Sequence, residues 1–155
     1  MVKEYSVGLR TSKPCGTIGG MYRWVDHTAE VELAIEADSE GEVFAEALAA
    51  LAELLGGRSD DDGAPGADER RTVTASAADR PALLAAWLEE LVFLAESQGF
   101  EPARVETLEL GPDGLRAVVA GRLGDPPPLV KAVTYHRLSF EPRGRGYRAS
   151  VVLDV

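Results

Sequence analysis

The chain has 155 residues, 45% hydrophobic and 27% charged, with 16 basic against 26 acidic residues for a net charge of −10. That length fits a single compact domain, and the charge disfavours tight direct RNA or DNA binding because it repels a phosphate backbone instead of releasing its counterions. No run approaches the roughly 18 apolar residues of a membrane span, the N-terminus has no apolar signal core, and the expected location is cytoplasmic. Cys15 is the only cysteine, which excludes an intrachain disulfide and a multi-cysteine zinc site.

In chain order, residues 1–20 carry scattered Gly, Ser, Thr and Lys without periodicity and close on Gly19-Gly20, the composition of a loose tail. The domain is expected over residues 21–155. Tyr22 and Trp24, then Val31, Leu33 and Ile35, alternate with polar residues as in a half-buried strand, and the apolar parity switches between Trp24 and Val31. The polar cluster Asp26-His27-Thr28-Ala29-Glu30 occupies that switch, so a bulge or break is expected there. Ser39 with Glu42 fits a capping box, and Val43 to Leu55 repeat at helical spacing. After an acidic loop that lacks calcium-loop spacing, residues 71–76 read as a short strand. A second helix follows from Asp79 and Pro81 to a stop at Gly99, with Phe44 and Trp87 as core.

The remainder is β-rich. Residues 105–110 and 115–119 flank a Gly111-Pro112-Asp113-Gly114 turn, residues 125–128 form a proline-rich connector, and residues 130–140 and 147–153 form a last hairpin. The order predicts an α+β fold, with two helices packed on one face of a largely antiparallel sheet. A ferredoxin-like split βαβ arrangement is the nearest generic alternative.

The chemistry available is narrow. His27 and His136 are the only histidines, no serine sits in a nucleophile-elbow context, and neither a Walker sequence nor a dinucleotide-binding glycine pattern is present. Carboxylates are the better lead: Asp26 and Glu30 are close in sequence, and Asp154 joins them if the first and last strands pair. Such a set, with a main-chain carbonyl at Val155, suits a hard cation; acids that cap a turn and face water are the competing reading.

Residues 22–46, YRWVDHTAEVELAIEADSEGEVFAE, resemble the opening of the archease family, with its Tyr-containing strand, [DE]-H-T-A-D motif and acidic capped helix. Residues 130–136 (VKAVTYH) are similar to that family's K-A-[VI]-T-Y-H segment, and residues 151–155 to its apolar-Asp-apolar ending. The helix containing Trp87-Leu88-Glu89-Glu90-Leu91 resembles its N-W-L-N-E-L-L helix. The resemblance implies an accessory activator, not itself an enzyme, for an RtcB-type RNA ligase in tRNA splicing and RNA repair. Family members promote ligase guanylylation and multiple turnover with a bound divalent metal.

By motif position the implied ligands are Glu30, Asp154 and the main chain of Val155. Asp26 and His27 would lie beside them, and Lys131, Tyr135 and His136 would be available for partner contact. Calcium is the expected ion, with magnesium or manganese as alternatives. Two departures stand out: Glu30 replaces the family Asp, and the run from 121 to 131 is shorter than usual. The rival functions are a stand-alone metal-dependent hydrolase with His27 or His136 as base, and a metal-independent adaptor.

Overall fold

The computed structural model describes residues 10–11, 21–26, 30–55, 69–124, 126 and 130–155. Strand β1 (Arg10–Thr11) lies within the segment expected to be a loose tail and pairs with the start of β2 (Met21–Asp26). Strand β3 (Glu30–Ala37) follows, then α1 (Glu40–Leu55), β4 (Glu69–Ser76) and α2 (Arg80–Gln98). Four longer strands complete the chain: β5 (Phe100–Leu110), β6 (Gly114–Leu123), β7 (Ala132–Arg143) and β8 (Gly146–Asp154).

The switch in apolar parity resolves as a reversal of direction. β2 and β3 are separate antiparallel strands whose pairing closes at Asp26↔Val31, so the polar cluster lies at a hairpin end. Of the bulge or break expected at this point, the structure has the break. A reversal resets the two-residue side-chain period, and thus explains why Tyr22 and Val31 both reach the core although their sequence parity differs.

The α+β class holds, with two helices on a largely antiparallel five-stranded sheet of order β1-β2-β3-β8-β7. A three-stranded sheet of order β4-β6-β5 covers the other side of the helices. Helix α1 packs on β3 and β8 of the large sheet and on β5 of the small one, while α2 packs on β7 and on β4 and β5. This three-layer arrangement displaces the ferredoxin-like alternative. Its cause lies in the helices: Val43, Phe44, Ala47, Leu48, Ala50 and Leu51 are all buried on α1, an apolar arc wider than one sheet can cover.

Local signals set the helix ends. The Glu42 N–H donates to Ser39 Oγ at 3.2 Å, and Glu42 Oε1 accepts from the Asp38 N–H at 3.2 Å, so the capping box reaches one residue before Ser39. Asp79 caps α2 by accepting from the Ala82 N–H at 2.9 Å, with Pro81 in the first turn. Gly99 ends it at φ 69°, and its N–H donates to the Ala95 carbonyl at 3.1 Å. A side chain at Gly99 would be strained by that φ and would sit 2.7 Å from the Gly124 carbonyl oxygen.

Trp87 ties the helices together. Fully buried, it meets Phe44 edge-on at a centroid distance of 6.3 Å and donates from Nε1 to the Phe44 carbonyl at 2.9 Å. Among the described residues no helix is long and apolar enough to cross a membrane. On the small sheet, Arg70 of β4 reaches Glu106 of β5 through two N–H···O bonds of 2.9 Å, and Arg104 adds one of 3.1 Å.

Trp87→Ala is expected to cost about 3–5 kcal/mol in denaturant unfolding, through cavity formation and loss of the hydrogen bond; a loss below 1 kcal/mol would show that the helix contact is peripheral. The hydrogen bonds from Arg70 hold the Glu106 carboxyl below its ordinary value, with the charges of Arg70 and Arg104 adding to the effect. A depressed carboxyl pKa stabilises the fold above the unfolded pKa, and that contribution disappears as pH falls through the folded value. Wild type should therefore exceed Glu106→Gln in stability at neutral pH and lose the advantage in acid, which pH-dependent denaturation would check.

Candidate functional site

The alternation of β3 places Val31, Leu33, Ile35 and Ala37 in the core, which puts Glu30 and Glu32 on the opposite face. β8 runs antiparallel beside it, in a register that sets Glu30 directly opposite Asp154. Ala132 of β7 lies across from Asp154 on the other side. Side chains of directly opposed residues share a face with Cβ atoms about 4.5–5.5 Å apart, so two half-buried carboxylates meet at the strand end.

Neither carboxylate has a hydrogen bond or ion pair among the described residues. Two like charges in opposed positions destabilise a sheet unless something offsets them. The backbone around them is anchored: the Lys131 N–H donates to the Asp154 carbonyl at 2.7 Å, and Val155, half-buried, packs against the core. Two oxygen donors with no competing cation among the described residues fit a hard divalent ion, which takes carboxylate and carbonyl oxygens.

Other expected members of the site are placed elsewhere or lie outside the described residues. Asp26 is paired in register with Val31, but its side chain and the whole of His27 are among the residues not described. His136 is exposed on β7, and among the described residues no group of three or more His, Cys, Asp or Glu gathers at one point. The structure thus brings Glu30 and Asp154 together, with Val155 adjoining, and does not add His136 to them.

A second feature lies on the same face of the large sheet. Between Thr134↔Val152 and Ser139↔Ser150 the β7–β8 register slips: β7 advances five residues while β8 advances two. Arg137 sits in this bulge at φ 62°, the only non-glycine with positive φ among the described residues. Such a conformation costs on the order of 1–3 kcal/mol and needs support from its surroundings. Arg137 Nη1 donates to Glu32 Oε1 at 3.3 Å, while Ser150 Oγ makes contacts of 3.0 Å to Glu32 Oε2 and 3.4 Å to the Arg137 carbonyl. The His136 N–H donates to Thr134 Oγ1 at 3.3 Å.

Held this way, Tyr135, His136 and Arg137 are exposed, with Tyr135 at 56%. Partial desolvation raises the Tyr135 phenol above its ordinary pKa, and the Glu89 carboxylate on α2 adds to the shift. Lys131, immediately before β7, is also exposed. Sequence reasoning does not single out Glu32 or Ser150, and it reads Arg137 only as part of a charged, solvated hairpin edge with Arg143, Arg145 and Arg148. Their alternation reads as a solvated strand face, and no residue at 137 signals a left-handed backbone as glycine or asparagine would.

The archease protein family (MTH1598/TM1083) matches residues 22–155, which include the acid pair and the bulge. The chain belongs to the archease family. It is 32% identical over 146 residues to protein archease of Methanosarcina acetivorans, covering 88% of this chain and 97% of that one. It is 31% identical to protein archease of Methanosarcina mazei over the same shares of the two chains. The solution structure of Methanobacterium thermoautotrophicum protein 1598 aligns with a TM-score of 0.64 and 26% identity, over 86% of this chain and 98% of that one. The crystal structure of an archease from Thermotoga maritima, described as a possible chaperone, shares the fold at a TM-score of 0.55 and 18% identity, over 92% of this chain and 98% of that one.

Within this archease fold the opposed acids carry a direct expectation. In the presence of a chelator, Asp154→Asn should raise stability by about 0.2–1 kcal/mol, because it removes a like-charge pair. Equal or lower stability of that variant in thermal unfolding would show that the two charges are already compensated.

Proposed function

We propose that this archease-family protein is an accessory activator of an RtcB-type RNA ligase, promoting ligase guanylylation and multiple turnover through protein contact and a bound divalent cation. The observation that carries the reading is the opposition of Glu30 and Asp154 across β3 and β8, with no counter-charge on either among the described residues. Family membership and the description of a Thermotoga maritima relative as a possible chaperone support an assisting role over independent catalysis.

In this reading Glu30, Asp154 and the Val155 main-chain carbonyl hold the cation, with calcium the first candidate and magnesium or manganese the alternatives. Asp26 and His27 supply outer support for those ligands. When bound, such a cation would supply charge neutralisation at phosphate groups. The contribution of this chain is to fix the donors on paired strands: β3 sets Glu30, β8 sets Asp154, and the Lys131 N–H restrains the backbone between Asp154 and Val155. Lys131, Tyr135 and His136 are exposed immediately before β7 and in its bulge, where a protein partner can reach them.

Glu30 stands where the family has Asp, and its extra methylene adds a rotamer that must be fixed on binding. Glu30→Asp is accordingly expected to bind calcium at least as tightly as wild type in calorimetry. Asp154→Ala should abolish calcium binding and eliminate added product per ligase in a ligation assay with the ligase of the same organism at limiting enzyme. Full stimulation by a folded Asp154→Ala protein would rule out the metal role, and the absence of stimulation by wild type would rule out the activator reading itself.

A further inference from the structure

Three large hydrophobic side chains are exposed among the described residues: Phe93 at 59%, Tyr135 at 56% and Leu123 at 53%. Phe93 lies on α2, and Tyr135 lies on β7, which packs against that helix. β7 is the edge of the large sheet and β4 the edge of the small one, and α2 packs on both. The outward side of the helix is therefore left uncovered between two open strand edges.

That side has a definite chemistry. Glu89 and Glu90 are exposed on α2, and neither has a hydrogen bond or ion pair among the described residues. Phe93 lies one turn beyond Glu89, on the same helix face. Tyr135 is fixed at the other margin by the bulge that Arg137, Glu32 and Ser150 hold in place. The raised pKa of its phenol reflects partial desolvation together with the nearby Glu89 charge. On the β4 side, an open groove of about 330 Å³ is lined by Thr74, Ser76, Ala86, Glu89 and Glu90.

We infer that this stripe docks a basic, arginine-bearing segment of a protein partner, with guanidinium groups received by Glu89 and Glu90 and stacked on the faces of Phe93 and Tyr135. The combination selects its occupant by charge and shape. Carboxylates with no partner among the described residues favour a cation, and an arginine can satisfy them bidentately while its planar face covers an aromatic ring. A nucleic acid is disfavoured at the same place by the two carboxylates and by the overall charge of −10. The protein partner comes from the proposed activator function, since a ligase that grips RNA must carry basic surface. The docking chemistry itself can be tested without that ligase.

The test titrates the full-length protein with a hexa-arginine peptide at low and physiological salt, followed by NMR. The ring resonances of Phe93 and Tyr135 and the carboxyl signals of Glu89 and Glu90 should shift together, with affinity falling as salt rises. The double variant Glu89→Gln/Glu90→Gln and, separately, Phe93→Ser should each weaken binding by about tenfold, equivalent to about 1.4 kcal/mol, while calcium binding is unchanged. Shifts spread evenly over the acidic surface, or equal binding by the variants, would overturn the proposal. So would binding of an RNA oligonucleotide to this stripe.

A second arm separates this inference from the function on which it rests. In gel filtration with the ligase, Asp154→Ala should co-elute but not stimulate, whereas Glu89→Gln/Glu90→Gln should lose co-elution. If wild type neither co-elutes nor stimulates, the activator reading fails. If wild type does both and the double variant co-elutes as well as wild type, the docking stripe fails alone.

Discussion

Eight residue pairs from Glu30↔Asp154 to Ala37↔Tyr147 join β3 to β8, and the rest of the molecule depends on that register. It sets Val31, Leu33 and Ile35 against Leu153, Val151 and Ala149, all buried beneath the helices. A slip of β3 by one residue would turn Val31, Leu33 and Ile35 outward and bring Glu30 and Glu32 into the core. The penalty for burying unpaired carboxylates makes such a slip far more costly than the loss of a single hydrophobic contact. The same register that secures the core thus fixes the carboxylate pair, so the candidate site needs no separate scaffold.

The pairing is also long in sequence. The contact between Ser150 and Glu32 spans 118 residues, so β3 cannot find its partner until nearly the whole chain is present. What lies between can be organised locally. The α2 helix carries its own cap at Asp79 and stop at Gly99, and β5 and β6 close on each other through a short turn in which the Gly111 N–H donates to the Gly114 carbonyl at 2.8 Å. Helices with wide apolar arcs then recruit a sheet on each side, and the Trp87–Phe44 contact keeps the two helices in one layer.

What the sequence made legible follows this division between local and distant. Caps, turns and alternation act over a few residues, so the capping of α1 and α2, the turn after β5 and the last hairpin could all be anticipated. The division of strands into two sheets could not, because β4 and β6 alternate in the same way whichever sheet they join. The opposition of Glu30 and Asp154 was conditional on the pairing of the first and last strands, and it became specific only through resemblance at three spaced motifs. The Arg137 bulge was hidden for a different reason. Its left-handed backbone belongs to a residue with no local preference for it, and tertiary contacts with Glu32 and Ser150 stabilise what local propensity opposes.

That bulge also shapes the electrostatics of the neighbouring acids. Glu30 and Glu32 share a strand face, and Asp154 faces Glu30, so three carboxylates would repel one another along two adjacent strands. The excursion of β7 brings the Arg137 guanidinium to Glu32, and Ser150 provides a further hydrogen-bonding contact to the same carboxylate. Glu32 is thereby compensated from within the chain, while Glu30 and Asp154 have no counter-charge among the described residues. A regular β7 would follow the β8 register without the three extra residues that carry this arginine, and the repulsion would extend along the strands. The strain at Arg137 therefore has a counterpart in the site: it places a cation on Glu32, beside the strand end where two oxygen donors meet.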